Sequence, residues 1–166
     1  AGLSFFINTH LGSGSIWHEP ESALVVKNVL NQLLTMKVND FFGLSFPNDE
    51  SGTVYLNALD FSKTDFTRVK VMTPIYKCAF RETILNGINV LTPIHESDLQ
   101  LSSMDNANWG EIITANFNSA KISKTNFRKV IRNVDFTKTE ISMTNFIGEV
   151  SVSYFNLAKI TEINFH

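Results

Sequence analysis

The side chains that could carry out acid–base or nucleophilic chemistry are few in this 166-residue sequence, and they stand far apart. The four histidines (His10, His18, His95 and His166) do not have the spacing of metal ligands. The single cysteine, Cys78, excludes an internal disulfide and any site that needs several thiolates. No nucleophile is accompanied by a base and an orienting acid. The sequence therefore predicts a domain with no catalysis of its own, no metal and no cofactor.

Two N-terminal features bear on this prediction. His18 and Glu19 lie beside Trp17 and could form a small polar site, but no nucleophile stands next to them. The segment LGSGS at positions 11–15 lacks the lysine of a phosphate-binding loop and does not join a strand to a helix. We therefore interpret that segment as a linker.

Composition narrows the class of protein further. Hydrophobic residues make up 43% of the chain, charged residues 18%, and the net charge is −2. These values predict one folded domain with a sizeable core, and they exclude a disordered chain or an overall basic nucleic-acid binder. No apolar segment reaches the roughly 18 residues of a transmembrane helix. The sequence shows no complete secretion signal and ends inside a repeating pattern, so we expect it to be part of a longer protein.

Large apolar residues recur at every fifth position from Leu56 onward, with one shorter step in each unit. The unit has 19 residues, or 18 in its third copy, and its copies begin at 56, 75, 94, 112, 131 and 150. Neither a helix nor a simple strand has this period, so each unit is predicted to form one coil of a solenoid. The four apolar columns are Leu56, Ile75, Ile94, Ile112, Ile131, Val150; Phe61, Phe80, Leu99, Phe117, Phe136, Phe155; Phe66, Leu85, Met104, Ile122, Ile141, Ile160; and Val71, Val90, Trp109, Phe127, Phe146, Phe165.

Phenylalanine is the most informative residue type in these columns. All nine phenylalanines after residue 50 fall in them, and we expect all nine in the core. The positions two before each column residue should also point inward, and Cys78 is expected there as a small buried side chain. The predicted core phenylalanines are Phe61, Phe66, Phe80, Phe117, Phe127, Phe136, Phe146, Phe155 and Phe165.

The repeated motifs TDFTR (64–68), SDLQL (97–101), ANFNS (115–119), TNFRK (125–129), VDFTK (134–138) and TNFIG (144–148) resemble the pentapeptide-repeat family. The resemblance covers residues 56–166. It implies a mainly β fold, a right-handed quadrilateral parallel β-helix of about six 19-residue coils. The usual coil of the family is one residue longer, so one corner should be shortened here. Thr73-Pro74 and Thr92-Pro93 occupy the same corner of the first two coils, where proline fixes the turn.

Residues 1–50 lack the repeat and 51–166 contain it, which predicts an N-terminal segment followed by the β-helix. Residues 21–38 have apolar side chains at helical spacing after Pro20, so a helix is expected there. An open solenoid end needs covering, and we interpret this helix as the cap. The alternative is a partner-binding or membrane-surface helix, but its only cations are Lys27 and Lys37. Residues 3–7 are compatible with a strand added to an edge.

The residue just before the fourth column is asparagine in five successive copies. Stacked amides can hydrogen-bond along such a row, and corner geometry also favours asparagine. We expect a structural ladder made of Asn89, Asn108, Asn126, Asn145 and Asn164.

Charge is concentrated in two neighbouring copies of the unit. Residues 121–138 contain six lysines and arginines and one acid, whereas 94–111 contain four acids and no lysine or arginine. This contrast fits either an ordinary solvated surface or a face that binds a partner. An outward column that includes His95 adds apolar candidates. The candidate partner-binding residues are Lys121, Lys124, Arg128, Lys129 and Arg132, with Tyr76 and Ile113 from that column.

These features predict a non-catalytic protein–protein interaction module. The resemblance implies a setting, because similar repeat domains occur in secreted bacterial effectors, including the N-terminal recognition part of HECT-like ubiquitin ligases. It implies a host protein as partner and a location inside the host cell, with the bacterial cytoplasm as the alternative. DNA mimics that act on gyrase also belong to the family, but a mimic needs acidic columns and the net charge here is only −2. We expect no nucleic-acid partner.

The last coil has an unpaired edge. Such an edge predicts pairing with a second copy of the chain or with a following domain.

Overall fold

The computed structural model describes residues 2–12 and 21–166, and it begins with two helices. Helix α1 spans Gly2–Leu11 and α2 spans Ser22–Thr35, within the 21–38 segment expected to be helical. The strand considered for residues 3–7 is wrong, because Leu3, Ile7 and Leu11 recur every fourth residue and form one face of α1. Pro20, the pair His18 and Glu19, and the centre of the glycine–serine segment lie outside the described residues.

Helix α2 packs one face into the same apolar core as the coils. Ala23, Val26 and Leu30 are fully buried there, whereas Leu24 and Val25 remain exposed on the opposite side. The end of α2 borders the first coil, because Leu34 lines one cavity together with Asp60. The helix thus contributes to the core at the N-terminal end of the stack.

The rest of the described chain consists of short strands separated by corners. In chain order they are β1 (Ser45–Phe46), β2 (Leu56–Asn57), β3 (Lys70–Val71), β4 (Ile75–Tyr76), β5 (Asn89–Val90), β6 (Ile94–Asp98), β7 (Ser103–Asp105), β8 (Asn108–Trp109), β9 (Ile112–Asn116), β10 (Lys121–Ser123), β11 (Asn126–Phe127), β12 (Ile131–Asp135), β13 (Glu140–Ser142), β14 (Asn145–Phe146), β15 (Val150–Ser151), β16 (Lys159–Thr161) and β17 (Asn164–Phe165).

These strands form three parallel sheets around one core. Face 1 is the six-stranded sheet β2-β4-β6-β9-β12-β15, face 3 is β7-β10-β13-β16, and face 4 is β1-β3-β5-β8-β11-β14-β17. Face 2 carries Phe61 and its equivalents and is joined by bridges such as Asp60 to Ala79. Paired residues lie one repeat apart, as Ile75 and Ile94 do, so the expected parallel β-helix of about six coils is confirmed.

Each five-residue step satisfies its own polar groups. The small inward residue bonds its hydroxyl to the backbone, as Thr64 does to the Phe61 carbonyl at 2.5 Å. On face 2 an Asp or Asn before the large apolar residue accepts the amide two residues on, as Asp135 does from Thr137 at 2.8 Å. At Asp60, hydrogen bonds from the Ser62 side chain and backbone hold the pKa of the carboxyl below its usual value. These bonds satisfy polar groups that the turns would otherwise leave without a partner.

Three corners of a coil contain a residue with positive φ, and the fourth does not. In the third coil these residues are Glu96, Leu101 and Asn106, with φ of 46°, 59° and 59°. The fourth corner joins face 4 to face 1, and it contains Thr73-Pro74 and Thr92-Pro93. It is the shortened corner that a 19-residue unit requires.

Successive coils approach each other closely at two glycines of the fourth corner. A Cβ on Gly148 would lie 2.2 Å from the carbonyl of Lys129 in the preceding coil. A Cβ on Gly110 would lie 3.2 Å from the carbonyl oxygen of Thr92. Backbone meets backbone at Gly148, so only glycine fits there without a shift of the chain.

A half coil precedes the first repeat found in the sequence. Asp40 bridges to Asp65, and β1 pairs with β3, so Phe41 stacks in the same column as Phe66. Their ring centroids are 5.2 Å apart, and Phe41 is fully buried. The sequence analysis missed this half coil, although the five-residue spacing of Phe41 and Phe46 was a signal for it.

Seven of the nine expected core phenylalanines are buried, and their rings stack along the axis. Phe117 and Phe136 are 5.3 Å apart at their centroids, in parallel-stacked geometry. Phe155 is only half-buried, and Phe165 is 61% exposed. Phe165 therefore lies outside the core of the described residues, because it belongs to the last described coil and no described residue stacks on its outer side.

Candidate interaction surface

One outward-facing row of side chains runs along face 1. Parallel pairing places Tyr76 beside His95, His95 beside Ile113, and Ile113 beside Arg132. Each of the four follows a buried isoleucine, so its own side chain points away from the core. We call these four residues the face-1 row.

The face-1 row changes in chemistry along its length. The rings of Tyr76 and His95 stack with centroids 4.4 Å apart and planes 24° apart. Tyr76, His95 and Ile113 are half-buried, whereas Arg132 is exposed. Within residues 2–12 and 21–166, Arg132 forms no ion pair. The row therefore presents an aromatic pair, an aliphatic group and a free cation in succession.

Ordered contacts flank the face-1 row. On one side the Lys77 ammonium pairs with the Glu96 carboxylate at 3.5 Å. Further along, Asn133 Nδ2 donates to Thr114 Oγ1 at 3.2 Å. On the other side, Pro74 restricts the backbone that leads into β4. These contacts restrict the movement of the backbone that carries the face-1 row.

Asparagines form a second outward row, on face 4. Nδ2 of Asn126 donates to Oδ1 of Asn108 at 3.1 Å, and Asn145 and Asn164 continue the series at 2.8 and 3.0 Å. Asn89 lies in the same row, but its Oδ1 has no partner. The ladder thus has four members instead of the five expected, and we call Asn108, Asn126, Asn145 and Asn164 the asparagine row.

The five candidate cations do not share a face. Lys121 lies on face 3, Lys124 at the corner between faces 3 and 4, Arg128 and Lys129 at the fourth corner, and Arg132 on face 1. Because 19 residues complete a coil, positions 121 to 132 extend around more than half of its circumference. A single basic face formed by all five residues is therefore not present.

Cross-coil ion pairs also weaken the contrast between the acidic and basic coils. Asp98 pairs with Arg81 of the preceding coil at 3.6 Å, and Asp105 pairs with Lys124 of the following coil at 3.8 Å. Such exposed pairs contribute at most about 1 kcal/mol each. They do, however, pair two of the four acids of residues 94–111 with cations of neighbouring coils.

The decisive feature of the fold is the five-residue step itself. A small inward residue and a large inward residue recur in register on the faces of one parallel stack, and an Asp or Asn closes turns along face 2. The fold is a pentapeptide-repeat β-helix.

Solved structures similar to this chain include a trypsin-treated variant of QnrB1, a plasmid-mediated fluoroquinolone resistance protein. It has 15% identity and a TM-score of 0.34 over 75% of this chain and 66% of that chain, just under two thirds. The pentapeptide repeat protein Rfr23 from the cyanobacterium Cyanothece 51142 has 13% identity and a TM-score of 0.22, over 83% of this chain and 99% of that chain. No family model and no curated protein matches.

HetL from the cyanobacterium Nostoc sp. strain PCC 7120, a pentapeptide repeat protein involved in heterocyst differentiation regulation, is also similar. It has 9% identity and a TM-score of 0.21, over 77% of this chain and 92% of that chain.

The lone cysteine of the pentapeptide-repeat core has no reactive environment. Cys78 is buried, and burial raises the pKa of its thiol to about 11. Its Sγ lies 3.3 Å from the Tyr76 carbonyl. A thiol that is protonated at neutral pH and enclosed by the coil acts as a small apolar side chain.

One surface cavity at the N-terminal end of the coils is lined by charged side chains. A cavity of about 580 Å³ is lined by Lys63, Asp65 and Glu82, and Lys63 pairs with Glu82 at 3.8 Å. In the part of the chain that the structure describes, no group of His, Cys, Asp or Glu could hold a metal ion. No helix among those residues is long and apolar enough to cross a membrane.

Proposed function

We propose that this pentapeptide-repeat domain is a non-catalytic scaffold that binds a protein partner through the face-1 row. The observation that carries the proposal is the Tyr76–His95 ring stack, continued in register by Ile113 and Arg132. Tyrosine and arginine are the residue types most often found at the energetic centre of protein interfaces. Because the hydrogen bonds of the sheet fix the backbone of the row, the ordering entropy lost on binding is confined to its side chains, chiefly that of Arg132.

The asparagine row is a poorer docking candidate. Each of its inner amides already bonds to an amide of a neighbouring coil, as Asn126 does with Asn108 and Asn145. A partner would have to replace these bonds before gaining new ones. The face-1 row imposes no such exchange on Arg132.

The length of the row sets the size of the interface. Four coils spaced by about 4.8 Å place the first and last residues about 14 Å apart. A typical partner covers about 800 Å² of one protein surface, so the flanking residues must take part as a rim. Lys77, Glu96 and Asn133 have the polar character expected of a rim.

The proposal extends to a biological setting through the resemblance to repeat domains of bacterial effectors. In that setting the domain is the recognition part of a secreted effector, and its partner is a host protein. A HECT-like ubiquitin ligase is one such effector, and its catalytic part would be encoded outside these residues. The apolar side chains of the last coil, including Phe165, would then be covered by a second copy or by a following domain.

Affinity capture from a host-cell lysate tests the docking surface. The baits are the intact domain, a row variant (Tyr76→Ser, Ile113→Ser, Arg132→Ser), and a matched face-3 control (Ile84→Ser, Lys121→Ser, Lys159→Ser). Circular dichroism must first show the same fold for all three. We expect a protein that is retained by the intact domain and the control but lost from the row variant. A set of captured proteins that the row variant retains in full would contradict the proposal.

A further inference from the structure

We infer that the partner segment on the face-1 row is an extended peptide with an acidic residue four positions from an apolar residue. This inference rests on the proposed function and names the chemistry of its partner. It assigns the apolar residue to the Tyr76–His95 stack and the acidic residue to Arg132.

The spacing of the row sets the spacing in the partner. Tyr76 and Arg132 are three coils apart, or about 14 Å along the stack. An extended peptide advances about 3.3 Å per residue, and its side chains alternate between two sides. Residues four positions apart therefore point to the same side and stand about 13 Å from each other. The residue midway between them would lie over His95 and Ile113.

The positive charge of Arg132 determines where the partner peptide carries its acidic residue. Its guanidinium is exposed and forms no ion pair with any described residue. A guanidinium binds a carboxylate through two parallel hydrogen bonds, which makes this pairing specific in geometry. A carboxylate on the partner is thus the complementary group for the end of the row.

The surroundings of Arg132 favour one placed carboxylate over a continuous polyanion. Glu111 and Glu149 stand on either side of Val130 in one column at the fourth corner, beside the exposed Lys129. The evenly spaced phosphates of duplex DNA would meet both glutamates, and like charges repel. A short peptide with a single acidic residue can contact Arg132 and avoid them.

Peptide selection tests the inference directly. A displayed library of random linear peptides is selected on the immobilised intact domain, on Arg132→Glu, and on the face-3 control Lys121→Glu. On the intact domain and the control, we expect enriched peptides to carry Asp or Glu four positions from an aromatic or aliphatic residue. On Arg132→Glu, Lys or Arg should replace the acid. A synthetic acidic peptide from the selection should bind Arg132→Glu about tenfold more weakly in fluorescence anisotropy.

The remaining outcomes separate the two proposals. Enrichment without an acidic position, or enrichment that is identical on Arg132→Glu, overturns the inference, and the docking row then rests on the lysate capture with the row variant. Displacement of the peptide by duplex DNA would also overturn it, because the site would then accept a polyanion. If neither the selection nor the lysate capture yields binding that depends on the row, the proposed function fails as well.

Discussion

Two outward-facing rows of the same β-helix differ in how their side chains are used. The asparagine row repeats one residue type, and each amide bonds to the next coil at 2.8–3.1 Å. The face-1 row changes residue type at every coil, and its Arg132 has no ion pair within the described residues. Both rows have the same backbone spacing, because both arise from one repeat. A row of identical residues that bond to one another stabilises the stack, whereas a row of differing residues is available for recognition.

The energies of the two rows follow from this difference. A net intramolecular hydrogen bond contributes about 1 kcal/mol, so three ladder bonds contribute about 3 kcal/mol to the stability of the stack. The face-1 row contains one ring stack at a half-exposed site, worth about 1 kcal/mol at most. Substitutions in the asparagine row should therefore change the free energy of unfolding, and substitutions in the face-1 row should change partner binding.

The largest effect is expected at the corner that joins the two rows. Gly148→Ala should lower the free energy of unfolding by about 3 kcal/mol, because the new Cβ meets the Lys129 backbone at 2.2 Å. The shift of the corner should disturb both rows, and binding should weaken as well. Urea unfolding followed by tryptophan fluorescence measures the stability change.

Gly87→Ala is the matched control for this prediction. Gly87 has a φ of +64°, and the nearest atom to its Cβ would be Arg68 Cγ at 3.5 Å. The Gly87→Ala substitution should therefore lower the free energy of unfolding by only about 1 kcal/mol, through backbone strain. Equal effects of the two substitutions would contradict a steric origin at Gly148.

A smaller effect is expected within the asparagine row. Asn126→Ala should lower stability by about 2 kcal/mol, because it removes the bond to Asn108 and leaves Asn145 without its acceptor. Asn164→Ala removes one exposed bond and should cost less than about 1 kcal/mol. Binding to a face-1 partner should be unchanged in both variants. If either variant lost partner binding at an unchanged free energy of unfolding, the asparagine row would be the docking surface and its structural role would be contradicted.

The smallest stability effect is expected at the end of the face-1 row. Arg132→Ser should stay within about 0.5 kcal/mol of the parent in urea unfolding, because its side chain is exposed and forms no ion pair in the described structure. Lysate capture by the same variant should nevertheless be reduced. Unfolding at a clearly lower urea concentration would show that Arg132 supports the fold.

The sequence predicted the coils well because one physical cause sets the whole pattern. A narrow coil must place a large apolar side chain inward once per face, and this leaves a five-residue period in the sequence. The column from Phe61 to Phe155 follows directly from that period. The shortened corner follows from the unit length in the same way.

What the sequence could not predict depends on contacts between distant segments. The half coil with Phe41 and Phe46 is separated from the next repeat by residues 47–55, so no register connected them in the sequence. The cations at 121–132 are neighbours in sequence, yet the coil turns them towards different faces. Asn89 has the residue type of the ladder, but its Oδ1 accepts no bond.

NMR titration of the domain with a peptide selected on the intact chain tests the central claim most directly. The side-chain amides of the asparagine row and the backbone amides of the face-1 row report on the two rows in one spectrum. We expect shifts at Tyr76, His95, Ile113 and Arg132, and none at the Asn126 and Asn145 side chains. Shifts confined to the asparagine row would contradict the claim.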